Sequence, residues 1–187
     1  MQADPNLTGQ FLIAMPGLAG EPFYRSVCYI CQYDQQGALG LVVNQSTQLS
    51  LGDVFVQTDL TPVNEAIAAI PVYSGGPVNP ERCLVMHQPI GEWAATLQVT
   101  DSIGVTGSVD VLEAIAAGEG PEQFFVCLGY AGWGPGQVDD EILRNDWLTC
   151  PADSSILFQA ATSDRWRAAL GLMGVDPNQL SSDAGHA

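Results

Sequence analysis

The sequence predicts an α+β fold built on a mixed or partly closed β-sheet. Three observations predict it. Segments of strand character outnumber helical ones, and the two do not alternate strictly, as a doubly wound parallel sheet would require. Apolar residues make up 47% of the 187 positions and charged residues 14%, the balance of a chain that folds and buries about 70% of its surface. No GxGxxG motif follows a strand and opens a helix, so a dinucleotide fold is not indicated. A single domain over residues 1–174 is expected, with a polar tail at 175–187.

The elements follow in order. Gln10–Met15 reads as a strand stopped by Pro16-Gly17, with loop from Gly17 to Pro22. Ser26–Tyr33 and Ala38–Asn44 read as two strands joined by a hairpin at Asp34-Gln-Gln-Gly37. Ser50-Leu-Gly-Asp53 resembles a capping box and opens a short helix to about Gln57. Asp59–Pro71 carries no clear signal. Val72–Ser74 is a short strand running into a Gly75-Gly76-Pro77 turn. Cys83–His87 is a strand, and Thr96–Thr106 holds two short strands or a hairpin around Asp101-Ser102. Ser108 can cap a helix over Val109–Ala117, with Leu112, Ile115 and Ala116 inward and Gly118 as its stop. Phe124–Tyr130 is an apolar strand, followed by a glycine-rich loop and a helix from about Gln137 to Trp147. Ser155–Gln159 reads as a late strand. Ser163 can cap a final helix with Trp166, Ala169, Leu170 and Met173 on its inner stripe.

Charge narrows the function. The chain has five arginines, no lysine and 21 acidic residues, for a net charge of −16. Lysine Schiff-base chemistry and a P-loop lysine are excluded. Electrostatic DNA binding is disfavoured, because phosphates are neutralised by Lys and Arg. The polar Met1–Thr8 lacks the basic start of a signal peptide, and no apolar run approaches a membrane span, so a cytoplasmic location is expected. The odd number of cysteines suits a reducing compartment. Cys28-Tyr-Ile-Cys31 lies in a strand, where residues three apart point to opposite faces about 10 Å apart. That geometry favours core cysteines over a redox or zinc pair.

Several stretches together resemble one family. They are Phe11-Leu-Ile-Ala-Met-Pro16, Gly37-Ala-Leu-Gly-Leu-Val-Val-Asn44, Tyr73-Ser-Gly-Gly-Pro-Val78, Ser108–Gly118 and, most distinctive, Leu128-Gly-Tyr-Ala-Gly-Trp-Gly-Pro-Gly-Gln137. Arg25-Ser-Val27, Asn145-Asp-Trp-Leu148, Arg165-Trp166 and Gly185-His-Ala187 complete the pattern over essentially the whole chain. The chain thus resembles the AlgH/YqgE family of bacterial proteins. The resemblance implies an α+β fold whose mixed, branched sheet curls into a pseudo-barrel with helices packed outside. It implies a cytoplasmic protein labelled a transcriptional regulator, with no agreed catalytic residues. In that family the second strand usually runs into an acidic-His pair; here Cys31 leads into Gln32-Tyr33, so no histidine stands there.

Candidate binding residues fall into four groups. Gly132, Trp133 and Gly134 belong to the glycine-rich segment, which can present N–H groups to an anion or form a tight turn that docks the indole. The turn is favoured, since Asp139–Glu141 would repel a phosphate. Gly75 and Gly76 with Arg82 can make an anion site, or a turn beside a surface arginine. His87 follows an apolar strand and can be a general base, a ligand or a hydrogen-bonded core residue. Asn44 ends a buried strand and can line a pocket or form a turn. The acids Asp139, Asp140, Glu141 and Asp146 lack metal-ligand spacing, so no metal site is assigned. No cofactor or catalytic motif is readable.

The expected function is that of a non-enzymatic regulatory or adaptor protein acting through a protein partner, with Trp93 or Trp133 in the interface. The alternative is a small-molecule or nucleotide-binding protein, or a weak hydrolase. Membrane binding is not expected.

Overall fold

The computed structural model describes residues 6–16 and 23–180. The loop reading at 17–22, the end of the tail and His186 lie outside these residues. The chain divides into two compact units: residues 1–44 with 131–187, and residues 45–130.

In the first unit the antiparallel core forms from continuous apolar runs buried on both faces. Strand β1 (Gln10–Ala14) pairs β2 (Val27–Asp34), which pairs β3 (Gly37–Val42). The β2–β3 hairpin closes where expected, with Asp34 Oδ1 accepting from the Gln36 N–H at 2.7 Å. Late in the chain, β10 (Trp147–Pro151) covers the other edge of β1. The interior carries Leu12, Cys28, Ile30, Val42, Trp133 and Trp147, with Val138 from helix α4 (Gln137–Leu143) against them.

The second unit is built around β9 (Gln123–Trp133), whose residues up to Tyr130 belong here. One edge of β9 takes β6 (Val78–Gln88) antiparallel, then β8 (Gly104–Thr106) and β7 (Thr96–Gln98). The other edge takes β5 (Pro71–Ser74) parallel, and β5 takes β4 (Ser46–Ser50) antiparallel. The pairing is therefore mixed. Helices α1 (Leu51–Gln57), α2 (Glu65–Ala68) and α3 (Val109–Ala116) form a helical layer whose inner residues Leu51, Phe55, Leu112 and Ile115 join Val72, Val85 and Val126 in one core. The α+β class with a mixed sheet thus holds.

The helix starts have local causes. At α1, Asp53 Oδ2 accepts from the N–H and the hydroxyl of Ser50, the reach-back half of a capping box. At α2, which the sequence did not reveal, Asn64 Oδ1 accepts from the Ile67 N–H. At α3, Ser108 is the N-cap, but its hydroxyl serves Asp110 and Ala95 instead of the helix N–H groups.

Four expectations are corrected. Ala131-Gly132-Trp133 is strand, not loop: it continues β9 and pairs Ala38–Gly40 of β3. Helix α4 ends at Leu143, because Asn145 adopts a left-handed φ of 62° and Trp147 opens β10. Ser154–Phe158 is helix α5, not a strand. Asp153 caps it by accepting from the Ser155 N–H at 2.8 Å, and the short apolar run Ile156–Phe158 cannot by period alone choose helix or strand. The final helix α6 (Arg165–Leu172) starts from Asp164 behind a 3-10 turn at Thr162–Asp164, and Met173 stands outside its buried face.

Candidate functional site

In the glycine-rich segment the structure shows a dock for Trp133. Its indole N–H donates to Glu141 Oε2 at 2.8 Å, and the Trp147 indole donates to the same oxygen at 2.9 Å. Gln137 donates to the other oxygen at 2.9 Å. The Gly134 N–H donates to Gln137 Oε1, so this amide is already engaged. The two indoles meet edge to face, with centroids 6.1 Å apart, and Phe23 packs on both. Trp133 is buried. Tyr33 donates to Asp139 at 2.8 Å, tying β2 to α4. Arg144 pairs with Asp146 and not with Asp140 or Glu141.

Asn44 is a clamp. Its Oδ1 accepts from the Val27 N–H and its Nδ2 donates to the Arg25 carbonyl, both at 2.8 Å. Arg25 itself holds a positive φ of 50°. Buried Arg165 donates to the Val43 carbonyl beside it. These bonds fasten the end of β3 to the start of β2 and to α6.

In the second unit His87 is fully buried. Its Nδ1 lies 2.9 Å from the Pro89 carbonyl and therefore carries the proton. Its Nε2 then accepts from the Thr106 hydroxyl at 2.7 Å, and the Thr106 oxygen accepts from Thr96 at 2.7 Å. Burial lowers the histidine's pKa, which fits the neutral ring. Trp93 packs edge-on against His87, centroids 6.4 Å apart, with its indole nitrogen buried. Both residues thus belong to the packing of this edge.

Gly75 and Arg82 have different surroundings. The Gly75 N–H donates to the Leu128 carbonyl at 2.8 Å, and a Cβ there would stand 2.3 Å from the Gly129 carbonyl. Gly76 has φ 147°. These glycines let the turn approach β9. Arg82 instead lines a cavity of about 210 Å³ with Thr58, Val85, Gly107, Ser108, Val109 and Leu112. Neither Gly75 nor Gly76 lines it. A second cavity of about 210 Å³ lies between α2 and α3 and is lined by Ile67, Ile70, Ile115, Pro121 and Phe124.

The sequence reading missed the outward apolar residues of the helical layer. Val56 is 78% exposed, Val63 63% and Val109 50%. The signal was present in Val54-Phe55-Val56: three consecutive apolar residues on a helix cannot all face inward. No helix among the described residues is long and apolar enough to cross a membrane. Cys28 and Cys31 are buried free thiols in β2, and burial raises both pKa values far above the ordinary thiol range.

The fold and its glycine-dependent turns define a mixed α+β protein in which polar side chains such as Asn44, Asp53 and Asn64 hold strand ends and helix starts together. The AlgH-like family profile matches residues 11–178, and the chain belongs to that family. A UPF0301 protein of Thioalkalivibrio sulfidiphilus is 50% identical over 187 residues, covering all of both chains. One from Cupriavidus metallidurans is 48% identical over 186 residues, covering 100% of this chain and 98% of its own. The solution structure of AlgH from Pseudomonas aeruginosa covers 100% of both chains with a TM-score of 0.81 and 41% identity. A crystal structure from Corynebacterium diphtheriae shares the fold at a TM-score of 0.73 and 19% identity, covering 96% of this chain and 92% of its own.

Proposed function

We propose that this protein is a non-enzymatic, cytoplasmic adaptor that binds a protein partner through the helical layer of residues 45–130. The observation that carries the reading is the pairing of exposed apolar side chains with one sign of charge. Val56, Val63 and Val109 stand in solvent, and residues 51–69 and 109–119 hold Asp53, Asp59, Glu65, Asp110, Glu113 and Glu119 with no Lys or Arg. Exposed apolar groups rimmed by charge are the usual composition of a docking surface. The partner is then a protein whose apolar anchor is ringed by Lys and Arg, since complementary charge steers and selects the encounter.

Any effect on transcription would run through that partner and not through DNA. Arg165 is buried on backbone carbonyls, Arg144 pairs with Asp146, and the Arg25 guanidinium sits 5.2 Å from the Trp166 ring centroid. Few cations are left for phosphates.

The test is cross-linked capture with three baits: the wild type, a Val56→Lys/Val63→Lys double variant, and Leu143→Lys, which changes an equally exposed residue in the other unit. A basic prey retained by the wild type and by Leu143→Lys, lost by the double variant and weakened by salt, is the expected outcome. If no prey distinguishes the double variant from the control, the reading fails.

A further inference from the structure

We propose that the cavity beside Arg82 is a binding site for a small monocarboxylate with an apolar body about the size of a benzene ring. The proposal goes beyond partner binding and rests on a different group, Arg82, although the cavity shares Val109 with the docking surface proposed above. Three observations meet here. Arg82 is the only Lys or Arg between residues 45 and 130, in a stretch rich in carboxylates. Among the described residues it makes no hydrogen bond and no ion pair. It lines a cavity of about 210 Å³ whose remaining wall includes Val85, Val109 and Leu112. A dry apolar cavity of about 150 Å³ accepts benzene, so this volume suits one ring with a carboxylate at the rim.

The polar groups around the cavity explain why the ligand's charge must be negative and its contacts few. Ser108 donates to Asp110 and accepts from the Ala95 N–H. The Thr106 hydroxyl is engaged with His87 and Thr96, and Thr58 donates to the carbonyls of Val54 and Phe55. Asp110 receives Ser108, Ala94 and Val111, bonds that hold its carboxyl below the usual range and keep it ionised. The three wall hydroxyls, those of Thr58, Thr106 and Ser108, are engaged, whereas the guanidinium makes no such bond; half-buried Cys83 completes the wall. With the wall hydroxyls engaged, a single carboxylate on Arg82 is the fitting head group. Arg82 lies over Gly107: a Cβ there would stand 3.4 Å from Arg82 Nη2 and 3.3 Å from Leu84 Cδ2.

The experiment is a chemical-shift titration of the ¹⁵N-labelled full chain with benzoate, and with benzamide as its neutral counterpart, at low salt. We expect benzoate to move the amides of Thr58, Gly107 and Val109 saturably, with a Kd about tenfold lower than that of benzamide, the share of one charge-assisted contact. Arg82→Gln changes an exposed side chain, so the fold survives; it should erase the tenfold preference and leave weak, equal binding of both compounds. Equal Kd values in the wild type overturn the proposal. So does a preference that survives Arg82→Gln, a shift pattern centred elsewhere, or no shift with benzoate at millimolar concentration.

Discussion

Replacing Glu141 by Leu should destabilise the protein by about 3 kcal/mol. One carboxylate oxygen accepts from both the Trp133 and the Trp147 indoles, at 2.8 and 2.9 Å. Hydrogen bonds to a charged acceptor contribute about 1.5–3 kcal/mol each, and an N–H left buried without a partner costs about 1–3 kcal/mol. Two such bonds would give up to about 6 kcal/mol. The carboxylate is partly solvated, and water can reach one indole after the change, which brings the sum down to about half. Glu141→Gln keeps one carbonyl oxygen for two donors and should cost about 1–2 kcal/mol. Urea unfolding followed by tryptophan fluorescence reads both. With a slope of about 2 kcal/mol/M, Glu141→Leu moves the midpoint by about 1.5 M and leaves the slope unchanged. A Trp133→Phe partner variant closes a double-mutant cycle, whose coupling should exceed about 1 kcal/mol. A Glu141→Leu variant within about 0.5 kcal/mol of wild type would refute the view that the glycine-rich segment is held by this carboxylate.

The remaining expectations concern the other fastenings. Burial depresses the His87 pKa, so the unfolded chain binds a proton that the folded chain refuses. Stability is therefore complete above pH of about 6.5 and falls as pH drops below it, by no more than about 1.4 kcal/mol per pH unit. Urea midpoints between pH 7.5 and 5.5 should show this slope, and His87→Phe should flatten it. Asn44→Ala leaves the Val27 N–H and the Arg25 carbonyl without their partner and should cost about 2 kcal/mol by the same urea assay. Gly75→Ala forces a Cβ to 2.3 Å from the Gly129 carbonyl and should cost about 2–3 kcal/mol. Gly136→Ala meets nothing within 4 Å and should cost only the left-handed backbone penalty, about 1 kcal/mol. Melting temperatures of the two glycine variants check that order.

Much of this protein was determined by its sequence. The continuous apolar runs Phe11–Ala14 and Val27–Cys31, the Asp34–Gly37 hairpin, the Ser50–Asp53 helix start and the stop at Gly118 are local consequences of side-chain character and backbone freedom. They appear where the residues place them. The net charge and the scatter of the arginines likewise need no structure. Tertiary contact decided the rest. Ala131–Trp133 became strand because β3 offered its edge, and glycine-rich backbone has no preference of its own strong enough to refuse. Ser154–Phe158 became helix because Asp153 capped it in a run whose period was ambiguous. His87 and Asn44 acquired their roles only when Thr106 and Val27, distant in the chain, arrived at hydrogen-bonding distance. Arg82 parted from Gly75 and Gly76 because those glycines were needed for the close approach to Gly129, leaving the guanidinium over Gly107 at the rim of a cavity. A sequence carries local propensity directly, but it carries the identity of a long-range partner only through the folded chain.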